Sequence, residues 1–139
     1  VIHSMVQYAD GAVKAQLGAP DMRLPIQYAF SYPYRLKSEF PRVDFAETGC
    51  LTFEKPDMTR FRNLALAYRA IDEGGSMPCV LNAANEVCVA AFLHDRIGFM
   101  QMSDVIERTM DTVPIERTPT LDDYFRIDAE ARRVASSFL

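Results

Sequence analysis

Three polar side chains, Asn82, Asn85 and Glu86, interrupt the most apolar stretch of the chain, Val80–Leu93. At 100° per residue of an α-helix they fall within one stripe about 100° wide. Amides and a carboxylate so concentrated can hold a polar ligand or satisfy a hydrogen-bond network, and buried polar groups usually do the second. The stripe is therefore expected to be structural, buried, and paired with backbone groups of neighbouring segments. Only two histidines are present, His3 and His94. They lie in different segments with no ligand spacing around them, so no metal site is expected within these residues. A lone strand histidine is ordinarily solvated; His3 departs from that default because a Pro-Asp-Met turn falls beside it, which makes it a pocket candidate. Asp122-Asp123 stand at a helix start, where carboxylates favour the dipole. Gly74-Gly75-Ser76 lacks the spacing of a phosphate loop and reads as a helix C-cap followed by an N-cap. No Ser/His/Asp or Cys/His arrangement is legible. Cys50, Cys79 and Cys88 form no CxxC pattern, and Cys79 and Cys88 lie about 13 Å apart on one helix, beyond disulfide reach. Reduced thiols of this kind suit a cytoplasmic protein.

The elements that position these residues follow from periodicity. Val1–Tyr8 and Ala12–Gly18 are extended runs about Asp10-Gly11, a two-residue hairpin signal. That turn pairs Tyr8 with Val13, Val6 with Ala15 and Ser4 with Leu17, which makes one face apolar. His3 then lies opposite Gly18, with Met22 in reach across the Pro20-Asp21 turn. Pro25 sits near the first turn of a helix through Ile26–Tyr32. Pro33–Glu47 reads as loop and Cys50–Glu54 as one more short strand. From about Thr59 helices dominate: one ends at Gly74-Gly75, Ser76 caps the central one, Ser103 caps the next, and Thr120–Asp123 forms a capping box with Asp128 recapping after a break. The apolar side of the last helix is read as Leu121, Tyr124, Phe125, Ala131, Val134, Ala135 and Phe138. The expected fold is α+β: an N-terminal β-hairpin and short strand, followed by a small four-helix bundle, with residues 1–56 and 57–139 as separate domains.

Composition bounds the function. The 139 residues carry net charge −4, with 49% hydrophobic and 24% charged side chains. Those are the proportions of an ordinary globular protein. The acidic balance and the absence of a basic cluster argue against nucleic acid. No apolar run approaches a membrane span, and no signal-peptide pattern opens the chain. Val1-Ile2-His3 begins within a strand pattern, as a fragment lacking upstream strands would.

The run VIHSMVQYADGAVKAQLGAPDMRLPIQYA, with LTFEKPD and LNAANEVCVAAFL further on, closely resembles the carboxyl-terminal part of the 1-deoxy-D-xylulose 5-phosphate reductoisomerase family. The resemblance runs over essentially the whole chain, with IHSMV, DG, GxPDMRxPI and LNAANE in order. It implies a parent enzyme that isomerises and reduces 1-deoxy-D-xylulose 5-phosphate to 2-C-methyl-D-erythritol 4-phosphate in isoprenoid biosynthesis, using NADPH and Mg2+ or Mn2+. It further implies that residues 1–56 end the catalytic and dimerisation domain and that 57–139 are the C-terminal helical domain. His3 would lie near the substrate pocket and its flap, and Met22 near the nicotinamide. The nucleotide-binding domain and the metal ligands would precede Val1, so this fragment alone should be inactive and bind neither cofactor nor metal. A homodimer is expected through the hairpin face of Val6, Tyr8, Val13, Ala15 and Leu17. The competing reading is an autonomous helical interaction module with no catalytic parent.

Overall fold

A computed structural model describes all 139 residues, Val1–Leu139. It divides into two compact units, Val1–Glu54 and Lys55–Leu139.

The first unit opens with the hairpin of β1 (Ile2–Gln7) and β2 (Val13–Leu17). Its turn takes three residues where two were expected. Gly11 N–H donates to the Tyr8 carbonyl at 2.9 Å and Tyr8 N–H to the Ala12 carbonyl at 2.8 Å. Gly11 adopts φ +86°, the left-handed position that closes a three-residue loop. The extra loop residue slips the ladder by one, to Gln7 opposite Val13, Met5 opposite Ala15 and Ser4 opposite Gln16. Such a slip exchanges the faces of β1. Met5 thus replaces Val6 beside Ala15, and Val6 and Tyr8 move to the face of Lys14, whose ammonium lies 5.7 Å from the Tyr8 ring centre. The register shifts again between Ile2 and Ser4, so that Ile2 faces Leu17 and His3 is the unpaired residue of a bulge. Gly18 therefore pairs not with His3 but with Val1, whose carbonyl accepts its N–H at 2.9 Å.

Helix α1 (Arg23–Ser31) starts earlier than its periodicity suggested, with Pro25 in its first turn. A second departure is α2 (Phe45–Thr48), a single turn inside the expected loop, which forms because Asp44 caps the N–H groups of Ala46 and Glu47. Cys50–Glu54 is not a strand: the only sheet is the two-stranded hairpin, and without a partner ladder an extended segment stays irregular. No residue of this unit is buried.

The second unit is a four-helix bundle of α3 (Arg62–Glu73), α4 (Met77–Leu93), α5 (Phe99–Thr112) and α6 (Leu121–Ser136). Central α4 touches each of the other three. Its inner positions are mostly small (Ala83, Ala84, Cys88 and Ala91, all at 0% exposure), so neighbouring backbones approach closely. Against them pack Leu66 and Ala70 of α3, Val105, Ile106 and Met110 of α5, and Ile127, Ala131 and Val134 of α6. The Ile127 contribution had no place in the expected apolar side of α6, whereas Leu121 and Phe125, which did, are exposed.

Capping differs from expectation at two serines. Ser103 lies buried inside α5, its hydroxyl donating to the Met100 carbonyl at 2.9 Å, and the helix starts instead at Gly98, whose N–H is held by Gln101 Oε1. Ser76 precedes α4 without capping it. Its hydroxyl accepts the Glu116 N–H at 2.9 Å, and its own N–H donates to the Glu116 carbonyl at 2.9 Å. Arg117 Nη1 adds a bond to the Glu73 carbonyl at 2.7 Å. The α3–α4 corner is thereby fastened to the α5–α6 connection. The Thr120–Asp123 capping box forms as read, but α6 continues through Asp128 unbroken. There Asp128 pairs with Arg132, one turn on, at 2.7 Å.

Candidate functional site

A cleft of about 330 Å3 lies in the first unit. Ladder and turn build it together. The β-bulge takes His3 out of the strand alternation, and bulges re-aim a side chain in this way. Beyond Leu17 the chain folds back through Gly18–Pro20 into α1, bringing Met22, Leu24 and Pro25 to the other wall. His3 and Met22, far apart in sequence, thus line the same cleft. The imidazole is exposed, and its Nδ1 stands 3.4 Å from Ser4 Oγ. Apart from His3, the polar lining is Gln16 and Asp21. Asp21 was not singled out from sequence, although an Asp-x-Arg spacing at a helix start is a legible signal. Its carboxylate accepts the Arg23 backbone N–H at 2.9 Å and Arg23 Nε at 3.0 Å. Those bonds, the guanidinium one first, hold the carboxyl below its usual range.

The stripe on α4 belongs to the second unit and is not buried. Asn82 and Glu86 are exposed and Asn85 is half-buried. Their partners are side chains: Asn82 Nδ2 donates to Glu86 Oε1 at 3.3 Å, and Arg132 Nη2 to Glu86 Oε2 at 2.7 Å. Arg132 first and Asn82 after it hold the Glu86 carboxyl below its usual value. Arg132 is 46 residues from Glu86, a separation at which no local pattern could have marked it. The expectation of burial failed because α4 is packed over less of its circumference than its composition allows. His94 ends α4, with Nδ1 2.7 Å from the Ala90 carbonyl. Cys88 is buried, and that burial pushes its thiol up to about 11, away from thiolate chemistry.

No group of three or more His, Cys, Asp or Glu side chains gathers anywhere in the chain. The donors present therefore do not fit a divalent metal. The apolar wall of the cleft is made by Pro20, Met22, Leu24 and Pro25, and no Lys or Arg lines it.

The relatives cover both units. A family profile described as DXP reductoisomerase C-terminal domain matches residues 17–134. 1-Deoxy-D-xylulose 5-phosphate reductoisomerases of Phocaeicola vulgatus and Bacteroides fragilis are 68% and 66% identical over all 139 residues, which span 36% of each. The solved reductoisomerase from Zymomonas mobilis in complex with NADPH superposes with TM-score 0.86 at 46% identity, over 99% of this chain and 36% of that one. A second structure, in complex with NADPH, fosmidomycin and magnesium, gives 0.82 at 33% identity, with the same coverage. The matches define a class first, the C-terminal domain of a reductoisomerase. The chain belongs to the 1-deoxy-D-xylulose 5-phosphate reductoisomerase family. It spans about a third of the length of these relatives.

Proposed function

We propose that this chain is the carboxyl-terminal part of an enzyme that isomerises and reduces 1-deoxy-D-xylulose 5-phosphate to 2-C-methyl-D-erythritol 4-phosphate. The observation that carries this reading is one cleft lined by both His3 and Met22, in a chain matched along its whole length by reductoisomerases. NADPH, when bound, supplies the hydride. Residues 1–56 form the end of the catalytic and dimerisation domain, and 57–139 the C-terminal helical domain of a cytoplasmic homodimer. The apolar wall of Pro20, Met22, Leu24 and Pro25 would hold the nicotinamide ring and shield it from water. On the opposite wall the His3 imidazole reaches the substrate as hydrogen-bond donor or acceptor. Metal ligands and phosphate-binding cations belong to residues outside this chain, since its own donors do not converge. The 139-residue chain alone is accordingly inactive.

Kinetics on the full-length polypeptide carrying this sequence test the reading. His3→Gln should lower kcat/KM at least tenfold while the melting temperature stays within a few degrees, a loss on the scale of one positioned polar group. The isolated chain should oxidise no NADPH above the blank with substrate and Mg2+ or Mn2+. Unchanged kcat/KM in the variant, or turnover by the chain alone, would overturn the proposal.

A further inference from the structure

Asp21 is the only acidic side chain on the cleft wall, and Arg23 grips it from several directions. Arg23 Nε lies 3.0 Å from both carboxylate oxygens, Nη2 lies 2.5 Å from Oδ2, and the Arg23 backbone N–H lies 2.9 Å from Oδ1. This planar, multiply bonded geometry is the strong form of a carboxylate pair. The guanidinium is braced in turn by Phe40, its central carbon 4.8 Å from the ring centre. One residue thereby fixes two things. It pins the turn that carries Met22, and it neutralises a carboxylate that would otherwise face the cleft bare.

Neutralisation matters because dinucleotide and sugar phosphate are polyanions. A bare carboxylate about 8 Å from one phosphate charge, at an effective dielectric of about 30, would weaken binding about tenfold. An unpaired Asp carboxyl is ionised near neutrality, so the need for a mask persists there.

We propose that Arg23 is a positioning residue that masks Asp21 and holds the Pro20–Met22 turn, so that the cleft presents a neutral wall to an anionic cofactor. This rests on the reading of the cleft as the nicotinamide site.

The test uses the full-length enzyme carrying this chain, with KM for NADPH, kcat and melting temperature measured for Arg23→Met, Asp21→Asn/Arg23→Met and Met22→Ala. Arg23→Met should raise KM for NADPH about tenfold, more at low salt than at high. Removing the exposed carboxylate as well, in the double variant, should return KM to within about threefold of the starting enzyme. A purely structural role would lower the melting temperature without this rescue. A double variant as poor as Arg23→Met, or an unchanged KM in Arg23→Met, overturns the proposal. Arg23→Gln repeats the measurement should Arg23→Met fail to fold. Met22→Ala separates the two ideas: if it leaves KM for NADPH unchanged, the cofactor reading of the cleft falls, whereas a raised KM there beside an unaffected Arg23→Met sinks the mask alone.

Discussion

Ser76 and Glu116 hold each other twice, through a backbone N–H to carbonyl bond and a backbone N–H to hydroxyl bond, both 2.9 Å long. Ser76 is fully buried, and the bond to its hydroxyl is part-buried. The pair is possible only because Gly75 precedes it: at φ +54° a Cβ on residue 75 would lie 2.3 Å from the Glu116 carbonyl oxygen.

Ser76→Ala should therefore destabilise the chain by about 1–3 kcal/mol, the cost of leaving a part-buried N–H without its acceptor. Gly75→Ala should cost more than Gly74→Ala. Both positions have positive φ, which disfavours any side chain, but a Cβ at Gly74 meets nothing closer than 4.0 Å. Urea unfolding of the three variants checks the order; equal losses at the two glycines would mean that the corner can shift away from Glu116.

The exposed stripe on α4 carries the opposite expectation. Asn82→Leu should leave stability within about 0.5 kcal/mol of the parent, as for most surface changes. A loss of several kcal/mol on thermal melting would show that Asn82 has a partner other than the Glu86 carboxylate.

Acid should act on the start of α6. Asp123 accepts from Arg126 at 2.9 Å, from the Thr120 hydroxyl at 2.7 Å and from the Thr120 N–H at 3.0 Å, which together lower its carboxyl from 3.8 to about 2. A carboxyl depressed by folding stabilises fully above its unfolded value, and that contribution is lost as pH falls through the folded one. Stability should thus decline between about pH 4 and pH 2, less steeply in Asp123→Asn. Parallel acid profiles for the two proteins would contradict this.

Self-association should run through the hairpin. Both outer edges of the two-stranded sheet lack a strand partner, and Met5, Val13 and Leu17 are 51%, 57% and 40% exposed on one face. Edges and faces of this kind recruit a second copy. Light scattering at tens of micromolar should give a dimer for the parent and a monomer for Val13→Lys/Leu17→Lys, with circular dichroism unchanged. A monomeric parent, or a variant that still dimerises, would move the contact elsewhere.

The legible parts of this chain were those governed by local rules. The four helices announce themselves by periodicity, and the Thr120–Asp123 box forms from residues three apart. The nearness of Met22 to His3 was read from a His3–Gly18 pairing that does not form, yet both residues line one cleft. What escaped was decided by single-residue frames and by distant partners. Asp-Gly suggested a two-residue turn, yet Gly11 closes a three-residue one, and the choice between them exchanges the faces of β1. Ser76 has the residue type of a cap, but its partner is 40 residues away. Glu86 finds Arg132 only once α6 has packed on α4. Cys50–Glu54 has strand composition and no ladder to join.

The bulge at His3 separates two demands on one strand. With His3 extruded, Ile2 still faces Leu17, the pairing that an uninterrupted ladder one residue shorter would produce. The imidazole is thus an appendage to the sheet rather than a rung of it. Excising residue 3 outright would leave β1 a regular strand with every pairing kept, and take away the ring alone. Scaffold and cleft-lining side chain are therefore independently editable at this point, which no substitution within Met5–Gln7 could achieve.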